Sequence, residues 1–357
     1  MFKKYLYISI IAILSFFSLE FLLRLYSFYS NLEIINDNKS KNLVRVYEEG
    51  KTFKDHQNFY TYQPKINNKR YLNYYYDYKS KKKLIKIWDY RISTNNYGLV
   101  QSNNLQSDKK SILFLGDSFT EGQGDPSWID KFEGNINGLQ VINGGLAGTG
   151  FLQFLNFENY ISKKFSINKV VVIYPSDDIR RGIVKLFNSE CIISYLKCTY
   201  ANGVFSIPKN NNFNVEIYLK KLMRDRRLKE QFNLKKKIKF LIRDLYLYNF
   251  TRTSINTLKL KNDKNIERNF YAIKKLKQKY GDNIIFIRVN TAAEIALKNK
   301  SYETIRLENY MKANNIKPFF CSMKNNLNLF HNYDFHPNQI GYESLYKCVK
   351  KIIIDDY

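Results

Sequence analysis

Residues 112–122 read Ile-Leu-Phe-Leu-Gly-Asp-Ser-Phe-Thr-Glu-Gly. The four leading apolar residues predict a short buried strand, and the strand ends at Gly-Asp-Ser. A serine at that point lies at the edge of a sheet, with its hydroxyl free and its backbone N–H directed outward toward negative charge. Ser118 is therefore a candidate acyl-transfer nucleophile, provided that a base reaches it. The alternative is a strand that enters a glycine-rich turn with an incidental serine.

The same pattern of strand and loop recurs downstream. Residues 139–143 are a second apolar run and enter the glycine-rich loop 144–150, and residues 169–174 are a third run that ends at Pro-Ser-Asp-Asp. Helices are predicted between these strands from the spacing of apolar residues, and a further strand is predicted at 283–290. This alternation predicts a parallel sheet with helices on both faces. In such sheets the ligand crevice forms at the carboxyl ends of the strands.

Just before the last predicted helix, residues 334–338 read Asp-Phe-His-Pro-Asn. A histidine that acts as general base needs an anionic partner, which sets its tautomer and stabilises its charged form. Asp334 can supply that charge to His336 from an extended loop. A structural histidine is the alternative, but of the three histidines in the chain only His336 has this setting.

Together these segments resemble the sequence blocks of the SGNH (GDSL) hydrolase family, in particular its membrane-anchored bacterial branch. The resemblance implies a three-layer α/β/α sandwich with a parallel, flavodoxin-like sheet. It places Ser118 at the nucleophile and His336 and Asp334 in the rest of a catalytic triad. It also implies an oxyanion hole formed by the backbone N–H groups of Ser118 and Gly148.

Two departures from the family pattern concern the oxyanion hole and the triad. The third family block reads Gly-x-Asn-Asp, with the Asn amide as an oxyanion donor, whereas Asp177 holds that position here. An ionised carboxylate cannot donate, and one missing donor costs about 10²–10³ in rate. Asp177 is therefore either a protonated hydrogen-bond donor or an ionised carboxylate that repels the oxyanion and slows the reaction. The second departure is that Asp334 precedes His336 by two residues, where three are commoner.

For function, the resemblance implies a serine esterase that hydrolyses an acyl ester, for example an acetyl ester, on an envelope glycan or lipid. It implies neither a metal nor an organic cofactor. Two alternatives stay open. The first is an O-acyltransferase that passes the acyl group to a sugar hydroxyl, and the second is a catalytically weak SGNH domain that binds glycan.

Near the N-terminus, an apolar run extends from about residue 5 to 26, preceded by Lys3 and Lys4. Some 22 helical residues at about 1.5 Å each cross a bilayer core. The two lysines favour a cytoplasmic N-terminus. We therefore predict a single-pass signal anchor over residues 1–30, which holds an extracytoplasmic catalytic domain at the cytoplasmic membrane. A cleaved signal peptide is the alternative, although no Ala-x-Ala cleavage site is present.

The remaining boundaries follow from changes in composition. Residues 31–105 are predicted as a Tyr- and Lys-rich linker and edge-strand region. Residues 106–357 are predicted as the hydrolase domain, with an insertion at about 185–265 where the alternation of strands and helices breaks.

The net charge bears on the possible partners, and the positions of the cysteines bear on disulfide formation. The 58 Lys and Arg residues exceed the 32 Asp and Glu residues, which gives a formal net charge of +26. This charge indicates either a polyanionic partner or a compositional bias toward lysine, and no nucleic-acid-binding motif accompanies it, so no nucleic acid is expected. Cys191 and Cys198 form a disulfide or remain free thiols, whereas Cys321 and Cys348 fall at predicted core positions.

Overall fold

The computed structural model describes most of the chain outside the predicted insertion. The described residues are 2–29, 43–48, 50–77, 83–124, 128–136, 138–183, 186–187, 191–192, 204–207, 214–221, 263–323 and 326–355. Most of the segment 185–265 thus lies outside the described residues. Cys198 does too, and with it the predicted pair of Cys191 and Cys198.

From residue 110 onward, and outside the predicted insertion, strands and helices alternate as the sequence predicts. The described strands are β1 (Leu43–Glu48), β2 (Phe53–Asp55), β3 (Tyr60–Tyr62), β4 (Lys69–Asp77), β5 (Lys83–Ile92), β6 (Lys110–Gly116), β7 (Gln140–Gly145), β8 (Ser166–Pro175), β9 (Leu186–Phe187), β10 (Cys191–Ile192), β11 (Val204–Ile207), β12 (Ile284–Val289) and β13 (Phe319–Cys321). The described α-helices are α1 (Phe2–Tyr29), α2 (Ser118–Glu121), α3 (Phe151–Ile161), α4 (Lys264–Tyr280), α5 (Ala292–Leu297), α6 (Tyr302–Ala313) and α7 (Gln339–Asp355). Short 3₁₀ segments lie at Asp130–Phe132, Ser176–Arg180, Gly281–Asn283 and Leu327–Leu329.

Five strands form the central sheet in the order β7-β6-β8-β12-β13, and every neighbouring pair is parallel. Numbered along the chain, this is the order 2-1-3-4-5 of flavodoxin-like folds. The order places β6 beside both β7 and β8, so the loops after these three strands share one edge of the sheet. The predicted parallel α/β architecture is confirmed.

Helices cover both faces of the sheet, because successive side chains of a buried strand point to opposite sides. On one face Val171 and Ile173 of β8 pack in a core with Trp128, Phe132 and residues of α7. On the other face Tyr174 contacts the ring of Phe151 in α3, and its hydroxyl lies 3.3 Å from the sulfur of Met311 in α6. The result is the three-layer sandwich that the sequence predicts.

A second, four-stranded sheet has the order β11-β1-β4-β5. Its β1–β4 and β4–β5 pairs are antiparallel, and the short strands β2 and β3 pair separately as a hairpin. Much of the region 31–105 is thus folded sheet. Its tyrosines pack against one another, as in the stacked rings of Tyr47 and Tyr71, whose centroids are 4.2 Å apart.

The chain divides into two compact units, Met1–Asp37 with Asn214–Asn262, and Asn38–Phe213 with Asp263–Tyr357. In the first unit α1 contains a span of 19 residues, Tyr7–Leu25, with a mean hydropathy of 2.0 and largely exposed apolar side chains. Arg24 pairs with Glu20 one turn away at 3.1 Å, which neutralises both charges locally. The helix is apolar enough to be a membrane anchor or a signal sequence.

In the second unit a disulfide joins Cys321 of β13 to Cys348 of α7, with the two Cα atoms 5.8 Å apart. The sequence predicts both residues at core positions, and the structure shows Cys321 buried and Cys348 packed against the same core. The bond ties the edge strand of the parallel sheet to the last helix.

Candidate active site

Ser118 is the first residue of α2, immediately after the end of β6. Asp117 caps this short helix, because its Oδ1 accepts a hydrogen bond from the backbone N–H of Phe119 at 2.9 Å. The serine is 4% exposed. The strand-to-helix turn thus holds the hydroxyl of Ser118 in a fixed place at the carboxyl edge of the sheet.

The structure brings together the three residues that the sequence predicts as a triad. His336 Nε2 lies 2.8 Å from Ser118 Oγ, although 218 residues separate them. His336 Nδ1 makes a short hydrogen bond to Asp334 Oδ2 on its other side. The hydroxyl, imidazole and carboxylate therefore form one hydrogen-bonded chain, in which a proton leaving Ser118 has an acceptor that is itself oriented.

The two-residue spacing between Asp334 and His336 works because the loop around them is sharply bent, and not extended as the sequence analysis expects. Tyr333 and Phe335 adopt positive φ values of 70° and 63°, a left-handed conformation that non-glycine residues rarely take. The backbone N–H of His331 also donates to the carbonyl of His336 at 2.8 Å, which closes the loop on itself.

The buried carboxylate of Asp334 is held from the second sheet. Asn73 of β4 donates from Nδ2 to Asp334 Oδ1 at 3.2 Å, and the guanidinium of Arg45 in β1 lies 3.6 Å from the same oxygen. Burial raises the pKa of Asp334, but the neighbouring His336 and then Arg45 outweigh burial and leave that pKa below its usual value. Asp334 therefore stays ionised and able to orient His336 at neutral pH.

Aromatic rings surround the imidazole of His336. Trp88 of β5 meets it edge to face, with ring centroids 5.6 Å apart, and Phe119 lies at 5.7 Å. Tyr75 stacks on Tyr333 at 4.2 Å beside the same loop. These contacts restrict the rotation of the imidazole and limit access of water to it.

Gly148 lies in the loop after β7, at the same edge of the sheet as Ser118. Its φ is 74°, which favours glycine. Within the part of the chain that the structure describes, the backbone N–H of Gly148 has no hydrogen-bond acceptor, and neither has that of Ser118. Both amides are thus available to a ligand.

Asp177, the residue at the third predicted donor position, lies in the 3₁₀ segment after β8 and pairs with arginines. Its Oδ2 is 3.3 Å from the guanidinium of Arg181 and 3.5 Å from that of Arg180. Burial raises the pKa of Asp177, but Arg181 and Arg180 outweigh it and leave the pKa below its usual value. Arg181 also donates to Asp117 Oδ2 at 2.9 Å, so it links Asp177 to the residue that caps the serine helix.

Glu121 is a buried acid in this site whose role the sequence analysis does not predict. Its two carboxylate oxygens accept hydrogen bonds from the hydroxyl of Tyr62 at 2.8 Å and from the backbone N–H of Ala147 at 2.7 Å. Burial raises its pKa to about 7, although both hydrogen bonds and the charge of Arg45 act in the opposite direction. Asp117 adds a repulsion that favours the protonated form.

The sequence analysis does not predict four residues of this site, which are Arg45, Asn73, Trp88 and Glu121. The first three come from strands that precede the family-like blocks, where no motif marks them. Glu121 belongs to the first block, and its signal is a carboxyl in the short stretch that follows the apolar run 112–115. Within the described ranges, no three His, Cys, Asp or Glu side chains are arranged to hold a metal ion.

Comparison with known proteins gives structural similarity only. No family model matches the chain, and no curated protein sequence matches it. Among solved structures, a lipase/acylhydrolase from Enterococcus faecalis is similar at 13% identity and a TM-score of 0.34, over 68% of this chain and 95% of that one.

Two further solved structures have similar values. A GDSL-like lipase from Bacteroides thetaiotaomicron shares 17% identity at a TM-score of 0.33, over 70% of this chain and 89% of that one. A family 3 carbohydrate esterase from Clostridium thermocellum shares 14% identity at a TM-score of 0.34, over 69% and 96%.

Replacing Glu121 with Gln should change how stability depends on pH. The folded-state pKa of about 7 lies above the ordinary value of 4.5, so wild-type stability is full below pH 4.5 and falls as pH rises through 7. The loss amounts to about 3 kcal/mol, and Glu121→Gln should remove it. Thermal unfolding of both proteins from pH 4.5 to 8 measures the effect. Parallel Tm curves would contradict the assignment of the shift to Glu121.

Proposed function

We propose that this chain is an SGNH (GDSL)-type serine hydrolase that cleaves an acyl ester. The observation that carries the proposal is the continuous hydrogen-bonded chain from Ser118 through His336 to Asp334 at the carboxyl edge of a flavodoxin-like sheet. The amides of Ser118 and Gly148, which have no acceptor among the described residues, support an oxyanion hole at the same edge of the sheet.

In the proposed reaction Ser118 Oγ attacks the carbonyl carbon of the ester while its proton passes to His336 Nε2. The carbonyl oxygen becomes an oxyanion and accepts hydrogen bonds from the N–H groups of Ser118 and Gly148. The C–O bond to the alcohol then breaks, and His336 returns the proton to the departing oxygen. Water repeats the sequence on the acyl-serine and releases the carboxylic acid.

Asp334 serves this cycle by keeping its negative charge. When His336 takes the proton it becomes an imidazolium, which an adjacent carboxylate stabilises. Arg45 and Asn73 keep that carboxylate ionised and oriented in a buried position. We assign Arg45 and Asn73 as positioning residues that act through Asp334.

The proposed substrate is an acylated envelope glycan or lipid, with O-acyl transfer to a sugar hydroxyl as the alternative to hydrolysis. Incubation with a chromogenic acetyl ester, with and without an oligosaccharide acceptor, separates the two reactions. Acylated oligosaccharide as the main product would assign the transferase.

Ser118→Ala should abolish ester hydrolysis and labelling by a fluorophosphonate, with folding intact. His336→Ala should be about as damaging, and the double variant no worse than either, because residues that act as one unit are not additive. Wild-type protein that fails to react with the fluorophosphonate would instead support the weak, glycan-binding alternative. Additive losses in kcat would contradict a shared triad.

We propose that Asp177 is an ionised carboxylate that repels the oxyanion and slows the reaction, and not a protonated donor. Arg181 and Arg180 keep this carboxylate ionised. Asp177→Asn should raise kcat near neutral pH, by up to about 10²–10³ if the new amide donates fully. Asp178→Asn is the matched control, because it makes the same change at the neighbouring buried residue, where burial foremost holds the pKa well above its usual value. Equal kcat in wild type and Asp177→Asn would remove position 177 from the oxyanion hole.

We further propose that α1 anchors the protein in the cytoplasmic membrane with the catalytic domain outside. The apolar span supports the anchor, and the Cys321–Cys348 disulfide supports an oxidising compartment. In a background with Cys191→Ser and Cys198→Ser, a Ser107→Cys variant, at an exposed position, should react with a membrane-impermeant maleimide in intact spheroplasts, whereas the same background with Ser107 should not. Labelling only after lysis would overturn this topology, and release of the protein into the soluble fraction would indicate a cleaved signal peptide.

A further inference from the structure

Two buried side chains form hydrogen bonds with the backbone N–H and the backbone carbonyl of Ala147. This residue precedes Gly148, the glycine of the proposed oxyanion hole. The backbone N–H of Ala147 donates to Glu121 Oε2 at 2.7 Å. Its carbonyl oxygen accepts a hydrogen bond from the hydroxyl of Tyr60, also at 2.7 Å. Since Ala147 is itself buried, water does not compete for either bond.

The carbonyl of Ala147 and the N–H of Gly148 belong to the same peptide group. That group is planar and trans, so the two bonds point in opposite directions. Because Tyr60 fixes the direction of the carbonyl, it also fixes the direction of the Gly148 N–H. That N–H points away from Tyr60 and has no acceptor within the described part of the chain.

From this geometry we propose that Tyr60 and Glu121 are positioning residues that aim the Gly148 N–H at the oxyanion. The inference rests on the proposed hydrolase function and deepens it. Gly148 has a φ of 74°, and the freedom of a glycine in that region leaves the preceding peptide group easy to rotate. A hydrogen bond on each side of Ala147 removes that freedom before substrate arrives.

Glu121 also ties the two oxyanion donors to each other. It lies in α2, the short helix that begins with Ser118. Its hydrogen bond to Ala147 therefore joins the helix that supplies the Ser118 N–H to the loop that supplies the Gly148 N–H. The approach is close, because a Cβ added to Gly145 would lie 2.1 Å from the backbone nitrogen of Glu121. The distance between the amides of Ser118 and Gly148 is thereby held by direct contact of their two segments.

The hairpin of β2 and β3 holds the two tyrosines in place. Tyr60 and Tyr62 are fully buried, and the ring of Phe53 in β2 packs against both, with centroid distances of 5.4 and 5.0 Å. Tyr62 donates to the second oxygen of Glu121 at 2.8 Å. This hairpin, far in sequence from the serine, thus contacts the loop that contains Gly148 through the hydroxyl of Tyr60, and the serine helix through that of Tyr62.

The decisive variant is Tyr60→Phe, which removes one hydroxyl and leaves the ring. In the full chain in detergent, with a chromogenic acetyl ester, kcat should fall about 10- to 100-fold while KM stays within about twofold, because the lost interaction acts mainly in the transition state. Tyr310→Phe is the matched control, since Tyr310 also donates to a backbone carbonyl, that of Phe270, at 2.8 Å. The control should keep wild-type kcat.

A second pair of variants tests the other bond. Glu121→Gln keeps an oxygen acceptor for the Ala147 N–H, whereas Glu121→Met has a similar length and offers only a weakly accepting thioether sulfur. Hydrogen exchange at the Ala147 amide, followed by mass spectrometry of overlapping peptides, should be faster in Glu121→Met and Tyr60→Phe than in wild type. Glu121→Gln should lie closer to wild type in both exchange and kcat.

The outcomes separate this inference from the proposed function. If wild type labels at Ser118 with a fluorophosphonate but Tyr60→Phe keeps wild-type kcat, the inference is wrong and the hydrolase stands. Equal losses of kcat in Tyr60→Phe and Tyr310→Phe would overturn it as well, because the effect would then be general destabilisation. If wild type neither labels nor hydrolyses the ester, the proposed function fails and the inference falls with it.

Discussion

The ionised carboxylate of Asp334 in a buried place is the constraint on which the rest of the site depends. An isolated buried carboxylate is costly and tends to take up a proton. Here the imidazole of His336 and the guanidinium of Arg45 offset that cost, and the amide of Asn73 satisfies the remaining oxygen. Because removing one partner of a buried ion pair costs about 3–5 kcal/mol, the second sheet is coupled to the chemistry of the parallel sheet.

A second constraint is the close approach of the segments that end β6 and β7. A Cβ on Gly116 would lie 1.9 Å from Thr120 Oγ1, and one on Gly145 would lie 2.1 Å from the nitrogen of Glu121. Only glycine permits these contacts. The contact at Gly145 brings the serine helix against the glycine-rich loop, so the polar groups around Ser118 are arranged before any substrate binds, as electrostatic stabilisation of a transition state would require.

Much of the fold was predictable from sequence, because its signals are local. Apolar runs that end in Gly-Asp-Ser, in a glycine-rich loop and in Pro-Ser-Asp-Asp mark strands whose carboxyl ends share one edge of a sheet. The two-residue spacing of Asp334 and His336 indicates, in the sequence alone, that their side chains interact. Arg45, Asn73 and Tyr60 carry no such signal, because a buried arginine or tyrosine in a strand looks the same in sequence whether or not it contacts a residue of the proposed site.

By itself the sequence determined the layers of the sandwich, the parallel direction of its strands and the choice of a serine, a histidine and an aspartate as candidates for the proposed triad, since each depends on neighbours within a few residues. Only the tertiary structure decided the charge states around them. Arg181 and Arg180 keep Asp177 ionised, burial raises the pKa of Glu121 to about 7, and Arg45 helps keep Asp334 charged. The physical reason is that a pKa depends on burial and on charges a few ångströms away, and those distances exist only after segments far apart in the chain have packed together.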